Sequence, residues 1–129
     1  MVQPSFSGEK RTQSEIEAPE DLDRSVRNRM MALPEGADKD HPFSNPFAAC
    51  PDYPSLAEAT LPPLLIVIGG RDMLRDRAKA YYESLVKHGK AAEMIVFEEE
   101  NHGFYALKQD AESTETLIQH ITHFVQAKK

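Results

Sequence analysis

The chain has 129 residues, 40% hydrophobic and 28% charged, a size and mix that suit one packed domain and argue against a two-domain enzyme or a disordered chain. Lys and Arg number 15 against 21 Asp and Glu, a net charge of −6, and no basic block suited to phosphates occurs, so nucleic acid is excluded as an expected partner. The lone Cys50 cannot form an internal disulfide or a multi-cysteine zinc site, and neither Met1 to Ser5 nor the aliphatic run Leu64 to Ile68 suits a signal peptide or a membrane span. The expected compartment is the cytoplasm, with the nucleus as the alternative, and no membrane partner is expected.

Residues 1 to 18 mix Gly, Ser, Lys, Arg and Glu without periodicity and read as loop, apart from Met1 to Phe6 as the remnant of a short strand. Pro19 followed by Glu20, Asp21 and Asp23 marks a helix start, because proline fits the first turn and acids favour the positive end of the helix dipole. Leu22, Val26, Met30 and Leu33 would form its apolar stripe, and Pro34 would end it. Residues 34 to 63 hold seven of the nine prolines and predict a long connection, with a short helix around Ser55 to Ala59. A connection of that length is expected to wrap something or to serve a site.

Leu64 to Ile68, closed by Gly69 and Gly70, predicts a strand buried on both faces of a parallel sheet. Ala78, Tyr81, Tyr82, Leu85 and Val86 predict a helix between Asp76 and His88, stopped by Gly89. Met94 to Phe97 predicts a second buried strand, so the unit is strand, helix, strand with a right-handed crossover. After a loop at residues 98 to 109, Asp110 would cap a last helix with Leu117, Ile118, Ile121, Phe124 and Val125 on its apolar face.

Ligands in open parallel sheets meet the C-terminal ends of the strands, so the loops carrying Asp72 and His102 are expected at one rim. An Asp after one strand and a His after the next suit the orienting acid and the base of a hydrolytic triad. The plain alternative is that Asp72 shapes a turn and His102 decorates an acidic loop. His120 and His123 read better as solvated histidines than as metal ligands, and Glu98-Glu99-Glu100 as a solvated acidic patch, so no metal is assigned.

Leu61-Pro62-Pro63-Leu64, Gly69-Gly70-Arg71-Asp72-Met73-Leu74-Arg75-Asp76 and Asn101-His102-Gly103-Phe104-Tyr105 together resemble the C-terminal part of plant carboxylesterases. These belong to the hormone-sensitive-lipase-like branch of the α/β-hydrolases. The stretches from Gly8 to Glu15 and from Leu33 to Pro42 resemble the same family's segment after its sixth strand, so the likeness covers nearly the whole chain. It implies an α/β fold class: the C-terminal portion of an α/β-hydrolase, a mostly parallel sheet with flanking helices, preceded by a cap segment. Residues 1 to 60 would hold the partial strand, cap helix and Pro-rich connection, and residues 61 to 129 the core. It further implies Asp72 as triad acid, His102 as triad base, and Met30, Met31 or Phe104 as lining of an acyl pocket, although ordinary core is the favoured alternative for these three side chains. Asp76 is assigned to capping the helix that follows it.

The family's nucleophile stands on a Gly-x-Ser-x-Gly elbow beside a backbone oxyanion hole. None of the serines here has a glycine two residues away on both sides, and no His-Gly-Gly-Gly run exists. The resemblance therefore implies a carboxylesterase-like fragment carrying the acid and the base without the serine, with little turnover of its own and no organic cofactor or metal. Its expected partner is a small-molecule ester or hormone-like ligand, with self-association through an open sheet edge. The alternative is a non-catalytic binding or interaction fragment related to the gibberellin receptors, which lack the triad histidine.

Overall fold

The computed structural model describes residues 1–19 and 31–128. The expected helix between Pro19 and Pro34, and Met30 on it, fall almost wholly outside the described residues. The elements are α1 (Gln13–Glu17), β1 (Leu64–Gly69), α2 (Arg75–Lys87), β2 (Ala92–Phe97), α3 (Phe104–Leu107) and α4 (Glu112–Ala127).

β1 and β2 pair in parallel, Leu64 opposite Ala92 through Gly69 opposite Phe97, with α2 as the crossover. The alternation of side chains along β1 divides the core in two. Ile66 and Ile68 pack with Ala78, Tyr81 and Leu85 of α2, while Leu65 and Val67 pack on the other face with Phe104 and Leu117. The result is a helix, sheet, helix sandwich in which β1 has no solvated face.

The expected strand remnant is a three-residue contact. Met1 N donates to the Leu65 carbonyl at 2.5 Å, Val67 N donates to Met1 O, and Gln3 N donates to Val67 O, both at 2.9 Å. Val2 makes a parallel bridge to Val67, so this segment flanks β1 on the side opposite β2. β2 is only half-buried, not buried as its aliphatic composition suggests, because among the described residues β1 is its one strand neighbour.

Gly89 ends α2 as expected. Its φ of +68° lets Lys90 N reach Leu85 O and its own N–H reach Val86 O, at 2.9 and 3.0 Å, which satisfies the last carbonyls of the helix. Two capping assignments are corrected. Asp76 lies inside the first turn of α2, where Leu74 is the N-cap, and its Oδ2 accepts Ser14 N–H at 2.8 Å from the N-terminal segment. Asp110 lies one residue before the N-cap of α4, Ala111, whose carbonyl takes the Thr114 and Glu115 N–H groups. The buried stripe of α4 is also narrower than its composition suggests. Leu117, Ile121 and Phe124 face the sheet, whereas Ile118 and Val125 are exposed.

The N-terminal loop hides α1. Its Thr12-Gln13-Ser14-Glu15 start matches a helix-opening pattern, and Glu15 Oε2 accepts Thr12 N–H at 2.9 Å. Residues 34 to 63 contain hydrogen-bonded turns and no helix or strand, and Ser55 to Ala59 is a single turn. Ser7 Oγ donates to Lys39 O at 2.7 Å, and Lys90 Nζ donates to the carbonyls of Ala57 and Ala59 at 2.9 and 2.8 Å. These bonds hold the long connection along the N-terminal segment and the end of α2.

Candidate active site

Both strands stop at the same rim, and two glycines let the loops beyond them touch. A Cβ on Gly70 would run into the Glu98 backbone, and one on Gly69 would come within 2.6 Å of Gln3 Nε2 and crowd the Glu100 carbonyl. With no side chain there, Gly70 N donates to Phe97 O at 2.8 Å and Arg71 N to Glu100 O at 3.0 Å, which laces the two loops together.

Asp72 follows in a tight turn, its N–H on Gly69 O at 3.1 Å and its carbonyl taking Arg75 N–H at the same distance. The side chain is 3% exposed, and each oxygen has its own partner. Oδ1 accepts Leu74 N–H at 2.8 Å, which fixes the carboxylate plane; Oδ2 lies 2.7 Å from His102 Nδ1. One carboxylate thus both shapes the turn and binds the imidazole.

His102 sits 39% exposed at the mouth of the rim. With Nδ1 opposite a carboxylate, the tautomer that satisfies both groups carries its proton on Nδ1. Gly103, at φ +74°, then turns the chain into α3. The two flanking peptide groups of His102 are held by a residue that sequence reading did not single out. Gln3 Nε2 donates to Asn101 O at 2.9 Å, and Gln3 Oε1 accepts Gly103 N–H at 2.6 Å.

The acidic run beside the site is partly neutralised. Glu99 pairs with Arg71, and Glu100 accepts Lys108 Nζ at 2.8 Å. That hydrogen bond, with a second from Ser113, holds Glu100 below the usual carboxylate range. Of the two readings of Phe104, pocket lining or core, its packing is that of a core residue. It is 1% exposed against Leu65, Val67 and Leu117, because the first turn of α3 points it inward beneath the rim. Met31 is 76% exposed.

Comparison with known proteins agrees with this architecture. A sequence profile of the alpha/beta hydrolase fold matches residues 1–106. The chain is 34% identical over 131 aligned residues to gibberellin receptor GID1A of Arabidopsis thaliana, covering 98% of this chain and 37% of the receptor. It is 33% identical over 107 residues to the chloroplastic tuliposide A-converting enzyme 1 of Tulipa gesneriana, covering 81% of this chain and 27% of that enzyme. Among solved structures, the hyperthermophilic esterase of Pyrobaculum calidifontis superposes with a TM-score of 0.79 at 22% identity, over 98% of this chain and 41% of the esterase. The chain therefore belongs to the α/β-hydrolase family, in its plant carboxylesterase-like branch, and its fold is a partial α/β-hydrolase sandwich. It spans well under half the length of these proteins. Among the described residues, no helix is long and apolar enough to cross a membrane.

Proposed function

We propose that this chain carries the acid and the base of a carboxylic ester hydrolase of the Ser-His-Asp type, with Asp72 as the acid and His102 as the base. The observation that carries the reading is the 2.7 Å approach of Asp72 Oδ2 to His102 Nδ1 at the rim where both strands end.

A carboxylate on Nδ1 selects the tautomer whose lone pair is on Nε2. In acylation, Nε2 takes the proton of a serine hydroxyl as its oxygen attacks the ester carbonyl, and Asp72 stabilises the imidazolium. Nε2 then protonates the departing alkoxide. In deacylation it removes a proton from water, which hydrolyses the acyl-enzyme. On this reading the serine and the oxyanion N–H groups are supplied by sequence outside these 129 residues, and the chain by itself turns over little or no ester. Residues 1 to 60 would serve as the cap segment, with Met30 and Met31 as candidate lining and the sheet edge beside Val2 as the surface for self-association. The compartment proposed is the cytoplasm.

The test joins this chain to the elbow-bearing N-terminal part of a plant carboxylesterase and assays p-nitrophenyl acyl esters. Turnover is expected, falling by roughly 10³-fold or more in His102→Ala. A folded hybrid that hydrolyses esters equally well without His102 would overturn the reading.

Similarity to a gibberellin receptor over 98% of the chain favours a second reading, a small-molecule-binding protein without turnover. Calorimetric binding of a gibberellin to the same hybrid, with no ester hydrolysis, would establish it.

A further inference from the structure

Gln3 is 4% exposed and at φ +43°, a left-handed backbone conformation that costs a non-glycine residue energy and persists only where surrounding contacts demand it. Its contacts are specific. The side-chain amide spans the two peptide groups on either side of His102, donating to Asn101 O at 2.9 Å and accepting from Gly103 N at 2.6 Å. A carbonyl needs a donor and an N–H needs an acceptor, so only one orientation of the amide satisfies both. Its backbone N–H donates to Val67 O at 2.9 Å, on the strand that leads into Asp72. One residue thus links the strand that delivers the acid to the loop that delivers the base. Gly69 leaves the space that the amide occupies, since a Cβ there would lie 2.6 Å from Gln3 Nε2.

We infer that Gln3 is a positioning residue for His102: its amide clamps residues 101 to 103 so that Nδ1 stays opposite Asp72. This rests on the acid and base reading of Asp72 and His102. It assigns Gln3 no contact with substrate; it acts through the loop alone.

The experiment records imidazole ¹H–¹⁵N correlations of the ¹⁵N-labelled 129-residue chain across pH, for wild type, Gln3→Ala and Gln3→Met. The wild type is expected to hold neutral His102 as the Nδ1–H tautomer, because the carboxylate accepts that proton. Both variants are expected to lose the single tautomer. Gln3→Met keeps the volume and drops both hydrogen bonds, so it gives the reading if Gln3→Ala does not fold. Ser7→Ala removes a buried hydroxyl that bonds Lys39 O and Ser44 Oγ and no group of the His102 loop, and is expected to lower the melting temperature without moving the His102 signals. A wild-type tautomer retained in a folded Gln3 variant, or an equal change in Ser7→Ala, overturns the positioning role while leaving the acid and base reading intact. A wild-type chain whose neutral His102 already exchanges between both tautomers overturns both.

Discussion

Glu15 and Arg77, 62 residues apart, meet as a two-point ion pair, Nε on Oε1 at 2.5 Å and Nη2 on Oε2 at 2.8 Å, with both side chains largely buried. The same guanidinium donates to the carbonyls of Gly8 and Lys10 at 3.2 and 2.9 Å. It fastens the N-terminal segment to α2, and only a planar fork of donors has the geometry for all of these acceptors.

Arg77→Leu should cost about 3–5 kcal/mol, because it leaves a buried carboxylate without its countercharge. The double variant Glu15→Leu with Arg77→Leu should recover part of that loss. Urea denaturation of the three chains checks this, and a double variant no more stable than the single one would contradict it.

Asp72→Asn should separate chemistry from stability. Asparagine can still accept Leu74 N–H, so the melting temperature should change little. In an ester-hydrolysing hybrid, kcat should fall by roughly 10⁴-fold, because the imidazole takes the wrong tautomer. Asp72→Ala should lower both, since the buried Leu74 N–H then loses its partner at a cost of about 1–3 kcal/mol. Parallel melting curves and kcat values distinguish the two.

Gly70→Ala should be more harmful than Gly89→Ala. At Gly70 the new methyl meets the Glu98 backbone, which cannot yield without shifting the loop that leads to His102. At Gly89 a Cβ meets nothing within 4 Å, so the cost is the φ of +68° alone, about 1 kcal/mol. Denaturation midpoints rank the two, and His102 chemical shifts should move only in the Gly70 variant.

Tyr81→Phe should flatten the alkaline limb of stability. Burial raises the Tyr81 phenol above its ordinary value of 10.0. Its folded form therefore stays protonated where the unfolded chain has begun to ionise. That contribution is complete below the unfolded value and is lost as pH rises through the folded one. Unfolding free energies measured from pH 8 upward should fall above about pH 10 in wild type and fall less in the variant.

The strand, helix, strand unit was legible because its signals are local: an aliphatic run before Gly69 and Gly70, a stripe from Ala78 to Leu85, a stop at Gly89. The meeting of Asp72 and His102 followed from strand polarity, since parallel strands end together. The misassigned Asp76 and Asp110 share a cause. An acid near a helix start fits a cap by composition, yet Asp76 is recruited by Ser14 from distant sequence and the cap of α4 falls on Ala111. Gln3 was invisible for the same reason. Nothing in Met1-Val2-Gln3-Pro4 periodicity announces a bond to a backbone 100 residues away. Phe104 shows the converse limit, because a large apolar side chain beside a histidine can be read as pocket or, more readily, as core until the turn of α3 is known.

The seating of Met1 to Gln3 against β1 sets an order of events during synthesis. These residues leave the ribosome well before their partners, since the carbonyl that Met1 meets on β1 lies 64 residues later and the contact of Gln3 with Gly103 spans 100 residues. The crossover unit is built from near neighbours and can close by itself, whereas the seating of Met1 to Gln3 is a long-range step that needs β1 in place. The loop bearing His102 thus acquires its brace only once residue 103 has been made, so the rim matures after the sheet beneath it.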